Sequence, residues 1–206
     1  MSFEQPRTGL DEFFDLLAGV RKVAAAAAVG LIALPLLAGL GGFSPPWPPG
    51  IVGITSLIEL VTLMMVFQIL ARAPRAKATK IMIWSVAILS MLSICYLVLT
   101  AAFVYQLPNS NTRVVMGCGL SEKTKLILAH INQNPTDVCP GEFAQLLSSS
   151  QYDTDKVWTR LSITGIKAAL VVAWLGAFAA LAALIGVFVA FQSRQAVSQL
   201  RSTRRM

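Results

Sequence analysis

The chain has 206 residues, of which 55% are apolar and 13% charged, and its mean hydropathy is +0.66. One soluble core of this size cannot hide that much apolar surface, so lipid must cover most of it, which excludes an ordinary water-soluble domain. The formal net charge of +7 would suit a nucleic-acid binder, but the placement of the charges assigns it to membrane topology, and nucleic acid binding is disfavoured.

The first element is a leader, residues 1–22, with Leu10, Phe13, Phe14 and Leu17 on one helical face. Thr8 with Asp11 three residues on resembles a capping box. The spacing predicts an amphipathic helix lying on the inner leaflet, with a docking face for a cytoplasmic partner as the sharper alternative. Glu4, Asp11, Glu12 and Asp15 do not fit the basic start of a signal peptide, so the apolar run that follows is expected to be retained.

Four runs are long and apolar enough to cross a hydrocarbon core as helices: Val23–Leu40, Ile51–Ala71, Ile81–Val104 and Ala168–Phe191. Pro35 is expected to kink the first. Between the first two stands Phe43-Ser-Pro-Pro-Trp-Pro-Pro-Gly50, where four prolines forbid a helix and favour a stiff reversal. The expected fold is all-α: a four-span bundle with a small helical extracytoplasmic domain, disulfide-closed, between the third and fourth helices. The chain divides into the leader 1–22, spans one to three in 23–104, the outer domain 105–162, and the fourth span with a basic tail in 163–206.

Orientation follows from the basic residues. Arg7, Arg21 and Lys22 precede the first span, Arg72, Arg75, Lys77 and Lys80 link the second and third, and Arg194, Arg201, Arg204 and Arg205 follow the fourth. An even number of spans puts these segments on one side, where they hold 11 of the 17 basic residues. That side is cytoplasmic by the positive-inside rule, in a membrane whose Ala-rich, sequon-free protein suggests the bacterial inner membrane. The link and tail residues Arg72, Arg75, Lys77, Lys80, Arg201, Arg204 and Arg205 are candidates for contact with anionic lipid or a partner.

The long segment 105–162 reads as two short helices. Ser121 caps a run in which Leu120, Thr124, Ile127, Leu128 and Ile131 share a face; Pro140 opens a second with Phe143, Leu146 and Leu147. Cys118 and Cys139 bracket the first of them on the oxidising side, so a disulfide is expected. Closing a loop of about 20 residues would contribute on the order of 3 kcal/mol. Cys95, inside the third span, should be a free buried thiol. Tyr152 and Trp158 read as membrane-interface anchors.

Two families share parts of this layout. Membrane oxidoreductases that generate disulfides also have four spans and a cysteine pair in the second outer loop, but they need a second pair, Cys-x-x-Cys, which this chain lacks. The layout is also similar to that of tetraspanins, and Met116-Gly-Cys-Gly119 resembles half of their Cys-Cys-Gly signature; the likeness is one of layout and implies no function.

Glu59 is the single acid within the four runs. It sits about 12 Å below the outer end of its span at the helical rise, where a charge is costly and marks either packing or an ion path. Thr55 and Thr62 share its face and are expected to donate hydrogen bonds to it. Ser93, Tyr96 and Thr100 form a hydroxyl face on the third span, which packs across helices or lines a wet path with Glu59. Small multidrug transporters also place one essential Glu in a four-helix protein, in the first helix of a shorter chain. On the fourth span Gly176, Ala180, Ala183 and Gly186 form a small-residue stripe that lets helices approach closely, within one subunit or between subunits.

No nucleotide loop, metal-ligand spacing or nucleophile–base arrangement occurs, and His130 stands alone. The expectation is therefore a non-enzymatic, cofactor-free, homo-oligomeric sensor or scaffold with a cytoplasmic protein partner. The alternative is a pore-forming or ion-conducting effector, as in bacterial antiviral defence.

Overall fold

A computed structural model describes residues 29–30, 33–71, 74–107, 112–130, 147–148 and 150–203. The leader 1–22, the start of the first run, Arg72, Cys139, the second outer helix from Pro140 to Leu146, and Arg204 and Arg205 lie outside the described residues. Arg201 lies in a helix whose side chains there are likewise not described, as is that of Arg75.

The described chain is mostly helical. Residues 33–40 form α1; α2 is Ile51–Ala71, α3 Arg75–Phe103, α4 Glu122–His130, α5 Thr154–Val157 and α6 Arg160–Thr203, with strands β1 Val104–Gln106 and β2 Arg113–Val115 after α3. Among the described residues three helical stretches are long and apolar enough to cross a membrane: Ile51–Leu70, Ala76–Phe103 and Arg160–Ala190. The contacts divide the chain into two compact units. One comprises Met1–Phe43, Val52–Leu89 and Phe178–Met206; the other comprises Ser44–Ile51 and Ser90–Ala177.

In the first unit, α1 stops at the Gly-Gly pair after Leu40. Gly42 takes φ +75°, the Phe43 N–H donates to the Ala38 carbonyl at 2.9 Å, and the Gly42 N–H donates to Gly39 at 3.1 Å. These two bonds are a Schellman cap, which needs a residue without a Cβ at the left-handed position. The buried face of α2 runs Thr55, Glu59, Leu63, Val66 and Leu70, one helical turn at a time. Its lower half packs on α6. Leu63 clusters with Ala182, while Val66 and Leu70 cluster with Val187, Ala190 and Ala78 of α3. Contacts advance together down α2 and α6, so the two helices run parallel here. A Cβ on Gly186 would lie 3.0 Å from Val66 Cγ1 and 3.2 Å from Leu63 Cδ1, so this glycine sets the helix separation.

In the second unit, α3 and α6 pack through Tyr96 and Trp174, whose ring centroids are 5.3 Å apart and tilted by 54°. A Cβ on Gly176 would fall 2.6 Å from Leu92 Cδ1. The same unit holds a loop domain between α3 and α6. Its core is Met116, Leu120, Leu128, Leu147, Val157, Trp158 and Ile163. β1 and β2 form an antiparallel ribbon in the register Val104–Val115, Tyr105–Val114, Gln106–Arg113.

The structure adjusts several expectations. The loop domain is not purely helical: besides α4 it carries the ribbon of Val104–Gln106 and Arg113–Val115, two short stretches in which β-branched and aromatic residues favour strand. The last helix begins at Arg160 and reaches Thr203, so it takes in the last residues of the segment 105–162 and carries on into the basic tail. Trp158 is 1% exposed and forms the centre of the loop domain rather than an interface anchor, with Tyr152 packed against the same core. Ile127 is exposed, because α4 buries Thr124 and Leu128, in line with Leu120 just before it, and turns Ile127 away from that stripe. Cys95 is a free thiol but an exposed one, on the outward surface of α3.

Candidate functional site

Two places concentrate polar chemistry, one in each unit. In the first unit it is Glu59. Its side chain has no exposed surface, nor does that of Thr55 one turn above. Neither Glu59 Oε1 nor Oε2 has a hydrogen-bond partner among the described residues. The expected bonds from Thr55 and Thr62 are therefore not made. Side chains on one helix all lean toward its N-terminus, so groups a turn apart stay stacked at roughly 5–6 Å rather than converging. Thr62 is only half-buried. Ser56 Oγ illustrates the usual alternative for a hydroxyl on this helix, donating to its own helix at the Val52 carbonyl, 3.2 Å away.

The other three residues expected to join Glu59 belong to the second unit. Tyr96 is buried against Trp174, while Ser93 and Thr100 are half-buried on α3. The small-residue stripe divides as well. Gly186 serves the α2 contact, with Ala183 packed alongside, and Gly176 the Leu92 contact, while Ala180 is buried. This part of the stripe is used for packing within one subunit. Lys77 and Lys80 are exposed on the first turns of α3.

In the second unit the loop domain is tied to the start of α6 by backbone and hydroxyl bonds. Ser162 Oγ accepts from the Cys118 N–H at 2.6 Å and the Gly119 N–H at 2.8 Å. The Thr159 N–H donates to the Gly119 carbonyl at 2.8 Å, and the Ser121 N–H to the Val157 carbonyl at 2.9 Å. Ser121 caps α4 as its sequence suggests, accepting from the Thr124 N–H at 3.4 Å, and its hydroxyl donates to the Lys156 carbonyl at 2.9 Å. Gly117 is required for this closure: a Cβ there would lie 2.8 Å from Trp158 Cβ and 2.9 Å from Ser162 Oγ. Between α4 and α5 opens a groove of about 660 Å³ lined by residues including Ser121, Lys123, Thr124, Ile127, Asp155 and Lys156. It is mixed in charge, with its hydroxyls already engaged in capping.

Among the described residues no group of three or more His, Cys, Asp or Glu converges as a metal site would. His130 is exposed, its Nδ1 3.1 Å from the Leu126 carbonyl of its own helix. Sequence reasoning missed the Ser162 clamp, since nothing in the sequence pairs Ser162 with the Gly-Cys-Gly turn more than 40 residues earlier. Comparison with known proteins finds no matching family model, no matching curated protein and no matching solved structure.

Proposed function

We propose that the chain is a non-enzymatic, oligomeric membrane sensor or scaffold that couples an extracytoplasmic domain to a cytoplasmic partner. One observation carries the reading. α6 runs for 44 residues without a break from Arg160 to Thr203 and contributes Ile163, in its first turn, to the loop-domain core. A helix of that length is about 66 Å long, well beyond the 30 Å hydrocarbon core. Its last 13 residues after Ala190 add about 20 Å beyond the span and include Arg194 and Arg201. A rearrangement at the loop domain is thereby linked through one secondary-structure element to a basic helical extension.

In this reading the chain crosses a bacterial inner membrane four times, with 23–40 as the first span and both termini in the cytoplasm. The basic residues flanking α3 and ending α6 meet anionic lipid or the partner. Cys118 pairs with Cys139 in the oxidising compartment and staples the loop domain. Its support is the tight seating of the Cys118 turn on Ser162 and the placement of the third cysteine, Cys95, within a span. The groove between α4 and α5 offers the loop domain a place to take a ligand.

The test is photo-crosslinking in cells from position 198 on the helical extension, in the parent and in Cys118→Ser. The reading expects a discrete cytoplasmic adduct whose yield changes when the loop domain loses its cysteine. No cytoplasmic adduct in either protein would sink it. The burial of Glu59 favours a second reading, an ion-conducting oligomer. Ion flux in proteoliposomes that falls sharply in Glu59→Gln would replace the first reading with this one.

A further inference from the structure

Glu59 occupies a position that the sensor reading does not use. Below it, the buried face of α2 is closed by apolar contacts from Leu63 to Ala182 and from Val66 and Leu70 to Val187 and Ala190, with Gly186 leaving no space between the helices. Above it lies Thr55, fully buried. Among the described residues no other charged side chain is buried, and Lys77 and Lys80 of α3 are exposed. The first span, residues 23–40, is composed of Val, Ala, Gly, Leu, Ile and Pro alone, so its side chains hold neither a hydrogen-bonding group nor a countercharge.

A carboxyl enclosed in this way is not presented to lipid or to a second copy of the chain, because the protomer already covers it. Yet both of its oxygens are without partners among the described residues. A bare carboxylate in such surroundings would be one of the most costly groups to bury, unless paired or neutralised. We infer that Glu59 is the ligand of a small monovalent cation, a proton or an alkali-metal ion, held inside the helix packing of the first unit.

Either cation removes the uncompensated charge, but the two differ in what else they require. A proton needs only the carboxyl. An alkali ion, like other hard cations, needs several further oxygens, and on the buried face of α2 Thr55 is the other polar side chain. The inference stands apart from both readings of function, since a scaffold and a conducting oligomer could each contain such a site.

The test is infrared spectroscopy of the full chain in bilayers at neutral pH, as the difference between the parent and Glu59→Gln, with choline, sodium or potassium as the added cation. The expected result takes one of two forms. The carbonyl stretch of a neutral acid, indifferent to the metal salts, identifies a proton. Carboxylate bands that shift with sodium or potassium but not with choline identify an alkali ion. Carboxylate bands that respond to none of the three overturn the inference.

Should the substitution unfold the chain, the parent protein answers by reaction with a hydrophobic carbodiimide and peptide mapping. A neutral carboxyl adds across the carbodiimide, its oxygen bonding to the central carbon and its proton passing to nitrogen. Modification of Glu59 in choline, whether or not metal salts protect it, supports the inference, and protection assigns the metal ion. No modification of Glu59 in any of the three salts overturns it.

Discussion

The rings of Tyr96 and Trp174 meet with centroids 5.3 Å apart, both buried, joining α3 to α6 in the second unit. A tilted aromatic pair is worth about 0.5–1.5 kcal/mol beyond the area it buries. Trp174→Ala should therefore destabilise the protein by about 3–5 kcal/mol, the usual range for removing a large buried aromatic. A double-mutant cycle of Tyr96→Ala with Trp174→Ala, measured by reversible unfolding in mixed micelles, should return a favourable coupling near 1 kcal/mol. Additivity of the two single changes would show that the rings do not interact.

Two glycines of α6 should respond oppositely to the same change. In Gly186→Ala the new Cβ meets Val66 and Leu63 at 3.0–3.3 Å, and overpacking of this kind costs about 1–3 kcal/mol. At Gly165 nothing lies within 4 Å, so alanine there should be neutral or stabilise by up to about 1 kcal/mol through helix propensity. Thermal unfolding of the two variants side by side checks the ordering; equal effects would contradict the placement of α2 against α6.

The loop domain should depend on Ser162 and Gly117 to different degrees. Ser162→Ala removes the acceptor for two N–H groups at 2.6 and 2.8 Å, both on exposed residues that water can reach. The expected loss is about 1 kcal/mol. Gly117→Ala drives a Cβ into Trp158 Cβ, which belongs to a buried side chain and cannot swing away. Limited proteolysis should find Gly117→Ala cut rapidly and Ser162→Ala nearly as resistant as the parent.

Topology is open to a direct check. Periplasmic alkaline phosphatase fused after residue 150 should be active, and the same fusion after residue 73 inactive, because Arg72 in the link and Arg75, Lys77 and Lys80 at the start of α3 make that junction basic. The opposite pattern would invert the membrane orientation and with it the case for a cytoplasmic partner and a Cys118–Cys139 disulfide.

How much was readable from the sequence depended on the range of the interaction. The bounds of α2, Ile51–Ala71, follow from the Pro-Gly punctuation before it and the basic link after it. The Ser121 cap and the end of α1 at Gly41-Gly42 are likewise local signals. The burial of Trp158 was not legible, because a tryptophan next to a span has the same composition whether it floats at headgroup depth or plugs a small domain. What decides it is the close packing over Gly117, a contact across 41 positions of chain. Glu59 stands out in the sequence as the charged residue of α2, and its side chain is buried. Its lack of a hydrogen bond was missed, because sharing a helical face with Thr55 and Thr62 was mistaken for being within reach of them.

The coupling claim is tested most directly by a spin label at position 198, on the helical extension of α6, in a Cys95→Ser background reconstituted in bilayers. Distances between labels of neighbouring copies are measured before and after reduction of the loop domain. The account predicts a single well-defined distance that shifts or broadens when the outer cysteines are reduced. A distance distribution that is identical in both states, from protein shown to be reduced and still folded, would contradict coupling between the loop domain and the far end of the helix.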